Sequence, residues 1–168
     1  MIAPAPHAAP HARPGRRSAR LAAVQALYQM ELTGEDAETV AQEFLDHRFQ
    51  AEPGAMHLPD EPLFHAIVAG VPHRQAEIDR AIASCLGANW RLQRIDSILR
   101  AILRASAFEL VGRKDVPARV VIDEYLEISH CFFGEEEAGF VNAVLDRLAH
   151  RERAEEFAGS TPDERQRN

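Results

Sequence analysis

Residues 95–110 read IDSILRAILRASAFEL, and this stretch decides the fold. Ile95, Ile98, Leu99, Ile102, Leu103 and Leu110, with the small Ser106 between them, trace one broad apolar face over about four helical turns. A half-buried strand would alternate with a period of two, and this run does not. A face that wide predicts a central helix with neighbours on more than one side.

The pattern continues outward in both directions. Pro117 follows Asp115 and Val116 and suits the first position of a further helix, where its missing N–H would be unpaired anyway. Val121, Tyr125, Ile128 and Phe132 then share a face at i, i+4, i+7 and i+11. Gly134 ends that helix, and Glu135, Glu136 and Glu137 open the next, where negative charge meets exposed N–H groups. Val141, Val144, Leu145 and Leu148 carry its apolar face.

Towards the start, Leu21, Val24, Leu27, Tyr28 and Leu32 recur at helical spacing, with Gly34 as a C-cap candidate. A shorter helix is expected across Ala37 to Phe49, on Val40, Phe44 and Leu45. Residues 50–62 hold Pro53, Gly54, Pro59 and Pro62 and read as a loop. Another helix runs from Leu63 to Gly87 on Ile67, Val68, Val71, Ile78, Ile82 and Leu86. Pro72 interrupts it at a cost of roughly 3 kcal/mol, so a kink or a break is expected there. No stretch carries a strand period, and the class is all-α with about six to seven helices.

Residues 1–15 hold four of the ten prolines and read as a disordered arm, residues 16–154 as a single helical domain, and residues 155–168 as a disordered polar tail. No run of about 18 apolar residues is present to span a bilayer, and the first 20 residues lack the apolar segment of a signal peptide. A cytoplasmic protein is expected. Cys85 and Cys131 match no zinc spacing and are expected as reduced core residues.

A search for catalytic chemistry finds no phosphate-binding loop, no zinc-binding H-E-x-x-H and no nucleophile elbow. His7 and His11 stand four apart, but in the proline-rich arm. The acid pair Asp123 and Glu124 reads as a solvated helix face. The expectation is a protein that is no enzyme and needs neither metal nor cofactor.

Charge is more informative. The chain carries −7 overall, yet its first 20 residues contain Arg13, Arg16, Arg17 and Arg20 and no acid. Arg13 with Arg17, and Arg16 with Arg20, are four apart and would line one edge of a helix. Such an edge can grip phosphates with salt-dependent affinity, or it can be a solubilising polycation. Charge alone leaves both readings open.

Three stretches together narrow the choice: RRSARLAAVQALYQMELTG at 16–34, IDSILRAILRASAFELVGRKDVP at 95–117, and FVNAVLD at 140–146. With Val121 to Glu124 they resemble, in order, the NusB family of transcription antitermination factors, from about Arg16 to Arg151. FVNAVLD after a glycine-and-acid turn is the most distinctive. The resemblance implies two small helix bundles packed together and an RNA-binding function. Its implied partners are single-stranded boxA RNA, the ribosomal protein S10 (NusE), and the transcription elongation complex with other Nus factors.

For RNA contact the resemblance implies Arg16, Arg17 and Arg20 at the start of the first helix, and Glu136, Gly139 and Phe140 near the start of the last. An aromatic so placed is more often core than base-stacker, but Val141 and Val144 already supply an inward face, leaving Phe140 able to point partly outward. Tyr28 is a candidate for partner contact, with core packing as its alternative. The sequence departs from the family pattern at Ser18, where another Arg is common, at Asp123, at Phe133, and at Gly139, where Lys is common. The competing readings are an RNA-binding domain of a ribosomal RNA cytosine methyltransferase, expected to need a catalytic domain absent from this chain, and a purely protein-binding helical adaptor.

Overall fold

The stretch at 95–110 folds as expected, into the central helix of its half of the molecule. In the computed structural model, residues 15–50 and 58–159 are described. The arm expected at 1–15 (but for Gly15), most of the loop at 50–62 and the last nine residues of the tail lie outside them. Among the described residues there are eight α-helices and no strands, divided between two compact units that meet in sequence at His73 and Arg74.

The first unit holds α1 (Arg16–Thr33), α2 (Ala37–His47) and α3 (Glu61–His73). Each helix packs on the other two, and α1 on α3 most extensively. Val24, Leu27, Val40, Phe44, Phe64, Ile67 and Val71 form the core. Phe64 lies between Phe44, at a ring-centroid distance of 5.7 Å, and Phe49, at 4.8 Å edge-on. Gly34 closes α1 at φ 76°, a left-handed conformation that glycine adopts without steric cost. Asp36 and Asp60 cap the next two helices, accepting from Thr39 N–H at 2.8 Å and Leu63 N–H at 3.0 Å.

Pro72 sits in the last turn of α3, and the helix ends one residue later. The segment expected as one interrupted helix is therefore two, α3 and α4 (Gln75–Ala83). Pro72 weakens the last turn of α3 by its missing N–H, and the chain leaves helical geometry at Arg74, φ −114° and ψ 20°.

The second unit contains α4, a 3-10 turn (Leu92–Arg94), α5 (Ser97–Gly112), α6 (Ala118–Phe132), α7 (Glu135–Glu152) and a short α8 (Ala154–Phe157). α5 packs on α4, α6 and α7. Ile102, Leu103 and Leu110 are fully buried, each worth about 1.5–3 kcal/mol relative to exposure. Ser106 remains on this face because its hydroxyl donates back to the Ile102 and Leu103 carbonyls. Tyr125 buries its ring and donates its hydroxyl to Glu109 at 2.5 Å. Arg104 donates twice to Asp79, at 2.9 and 3.0 Å, joining α5 to α4.

Four expectations need correction. Pro117 is the residue before α6 rather than its first position. Cys131 is exposed, while Cys85 is buried, and both are free thiols. Leu32, counted on an apolar face, is 62% exposed. The first three residues of the tail expected from Glu155 belong instead to α8, which Arg153 and Glu156 anchor.

Arg153 is completely buried. Its guanidinium donates to the carbonyls of Leu110 (2.8 Å), Val116 (2.8 Å), Glu109 (3.0 Å) and Arg113 (2.6 Å). Carbonyls at the end of a helix have no partner within it, so this side chain caps α5 from a distant part of the chain. Glu156 accepts from Arg153 at 2.7 Å and from the Ala118 N–H, the first of α6, at 2.7 Å. Burial pushes the Glu156 carboxyl up, but the Ala118 N–H and the Arg153 guanidinium outweigh it and hold the group below its ordinary value.

Candidate nucleic-acid interface

The sequence places its candidate contacts in two separate groups, one in each unit. The first is the start of α1. Gly15 precedes it at φ 83°, and its carbonyl accepts from the Asp60 N–H at 3.0 Å. The first turn carries no acid, so the positive end of the helix dipole and the arginine charges have the same sign.

The three arginines there do not form one open edge. Arg17 is exposed and has a partner of its own. Arg16 is partly buried, with Nε 3.7 Å from the Asp60 carboxylate. Arg20 is only 1% exposed and ranks among the largest buried side chains of the protein. The expectation of a cationic edge including Arg20 is thereby corrected, and Arg13 lies outside the described residues. Four-residue spacing puts Arg16 and Arg20 on a common side, but that side continues through Ala23, Val24 and Leu27 into the core.

A flanking stripe of α1, about 100° round the helix, runs through Arg17, Leu21, Tyr28 and Leu32 at i, i+4, i+11 and i+15. Leu21 and Tyr28 are half-buried and Leu32 stands out. A cation and an apolar strip therefore share one accessible face. Tyr28 belongs to that strip rather than to the core proper.

The second group lies on α7. Gly134 precedes it without a side-chain cap, and Glu135, Glu136 and Glu137 fill its first turn. Glu136 is exposed and offers a carboxylate, which repels phosphate and can only accept hydrogen bonds. Gly139 is also exposed, and a Cβ built there would meet nothing within 4 Å, so the helix backbone is bare at this point.

Phe140 is half-buried, and its ring centroid is 5.2 Å from that of Trp90 at an interplanar angle of 39°. Trp90 is itself 56% exposed. Trp90 is not marked in the sequence, since fifty residues separate it from Phe140 and its surroundings carry no motif. Its position after the turn at Gly87, outside every apolar period, is the one signal that could have marked it. Among the described residues no group of His, Cys, Asp or Glu could hold a metal, and no helix is long and apolar enough to cross a membrane.

The sequence and the fold of the chain match those of known proteins. The family model described as the NusB family matches residues 17–150. The transcription antitermination protein NusB of Maricaulis maris is 53% identical over 139 residues, covering 82% of this chain and 87% of that protein. Among solved structures, T. maritima NusB superposes with a TM-score of 0.71 at 33% identity, over 84% of this chain and 96% of the other. A chain from the crystal structure of antitermination factors NusB and NusE in complex with dsRNA shares the fold, with a TM-score of 0.68 at 22% identity over 80% and 96%.

Proposed function

The chain belongs to the NusB family, and from that premise we propose that it is an RNA-binding transcription antitermination factor that works with the ribosomal protein S10 (NusE). It acts in the cytoplasm by binding rather than by catalysis, recognises boxA RNA in company with its partner, and supports ribosomal RNA transcription within an elongation complex containing other Nus factors. The observation that carries this reading is family membership across residues 17–150. The exposed Arg17 at an acid-free helix start supports it as a phosphate contact, and the exposed face around Phe140 supports it as a place for an unstacked base. Glu136 and the bare backbone at Gly139 flank that base site.

Tyr28 and Leu32 are assigned to the protein partner, because an exposed leucine beside a half-buried tyrosine is an apolar strip that a protein surface can cover. With one exposed arginine at its α1 site and an acidic chain behind it, the protein alone binds RNA weakly, and the pair supplies specificity.

The test is fluorescence anisotropy with a labelled boxA strand and a scrambled strand, with and without NusE, at two salt concentrations. Preference for boxA that sharpens with NusE and weakens in Arg17→Ala supports the proposal. Equal binding to both strands in every condition refutes it and leaves a protein-binding adaptor.

A further inference from the structure

The Trp90–Phe140 pair is a built aromatic surface rather than a stray exposed ring. The turn that presents Trp90 is closed by its own N–H on the Gly87 carbonyl at 2.9 Å. A Cβ at Gly87 would meet the indole at 3.4 Å, so the ring packs close over this turn. Phe140 supports the indole from α7.

The same face of α7 carries two arginines. Phe140, Arg147 and Arg151 stand at i, i+7 and i+11, so each arginine lies within about 20° of Phe140 around a helix of 3.6 residues per turn. Arg147 donates to the Cys85 carbonyl at 2.9 Å, and Arg151 to the Ser84 hydroxyl. The segment from Ser84 to Trp90 therefore lies along this face, ring at one end and guanidinium groups at the other. Both arginines are exposed residues, and each guanidinium has five N–H donors, of which the anchoring bond engages one nitrogen.

We infer that Trp90, supported by Phe140, is a stacking platform for an unpaired base of single-stranded RNA, with Arg147 and Arg151 holding the adjoining phosphates. This deepens the proposed function and rests on its RNA-binding reading. The charge distribution sets the polarity: the glutamates of the first turn of α7 repel phosphate beside Phe140, so a base faces the rings and the backbone runs towards the arginines. Every base has a π-face, so this contact adds affinity without selecting sequence.

Trp90 is the single tryptophan of the chain, which makes it its own reporter. The experiment follows indole fluorescence and the anisotropy of a labelled single-stranded oligonucleotide in one titration of the full chain with NusE. Wild-type protein, Trp90→Ala, Trp90→Phe and Arg147→Ala/Arg151→Ala are compared, with melting curves establishing that each is folded. Expected are quenching that tracks the anisotropy, roughly 10- to 100-fold weaker binding in folded Trp90→Ala, recovery in Trp90→Phe, and a shallower salt dependence in the double arginine variant. Normal anisotropy with no quenching and unchanged affinity in Trp90→Ala would overturn the platform while leaving the RNA-binding reading intact. No anisotropy change with wild-type protein would overturn both.

Discussion

Arg153 donates through Nε to the Leu110 carbonyl at 2.8 Å, a bond between residues 43 apart that closes the end of α5. With its other guanidinium bonds it satisfies the Val116 carbonyl and adds a second donor to the Glu109 and Arg113 carbonyls, which also accept from the Arg113 and Val116 N–H groups. Arg153→Met keeps much of the volume and removes every donor. The expected loss is about 2–4 kcal/mol, since the Leu110 and Val116 carbonyls are left without partners. Urea unfolding measures it, and a loss below 1 kcal/mol would contradict this account.

Glu156 predicts an acid-side dependence. Its folded value lies below the ordinary 4.5, so its stabilising effect is present above that value and fades as pH falls through the depressed folded one. Glu156→Gln should be less stable than wild type near neutrality, with the difference shrinking on acidification below about 4.5. A gap independent of pH between 2 and 6 would exclude the linkage.

Arg17 and Arg20 should separate binding from stability. Arg17→Ala is expected to weaken RNA binding several-fold and to lower the slope of log affinity against log salt by about one, with melting unchanged. Arg20→Met should instead destabilise the first unit by about 2–4 kcal/mol, because a buried guanidinium leaves its partners behind. Melting curves and salt titrations on both variants decide it; the reverse pattern would place Arg20 on the surface.

Gly139→Lys has room for its side chain and replaces glycine inside a helix. It should raise stability by about 0.5–1 kcal/mol. It also puts a cation beside Phe140, so RNA affinity should rise at low salt and converge with wild type at high salt. Weaker binding at low salt would argue against RNA on this side of α7.

Leu32→Asp tests the partner strip. At 62% exposure the leucine contributes little to folding, so stability should change by less than about 0.5 kcal/mol while affinity for NusE falls about tenfold or more. Calorimetric titration with NusE gives the answer, and undiminished affinity would move the docking face elsewhere.

The helices that dominate the fold were legible because their apolar periods are long: α5, α6 and α7 are where spacing puts them. Residues that break the rule relating type to burial were not legible. Arg20 and Arg153 are long cations in the interior, and the groups Arg153 satisfies are, Glu156 apart, backbone carbonyls, which no sequence pattern advertises. Four-residue spacing correctly paired Arg16 with Arg20 but could not say which side faces the core. Trp90 was not legible for a related reason, since its significance comes from a ring fifty positions away. Glu155 looked like the start of a tail because a four-residue helix held by Arg153 and Glu156 has no period to detect.

The capping of α5 and α6 also bears on the order in which the protein is made. The carbonyls and the N–H held by Arg153 and Glu156 precede them by 37 to 44 residues. A growing chain can therefore complete α5 and α6 on the ribosome while their ends still depend on water. The second unit locks only once residues 153–156 have emerged, whereas the helices of the first unit are all translated before Arg74. Synthesis thus imposes a sequence on folding, in which the end of α5 and the start of α6 are fixed last.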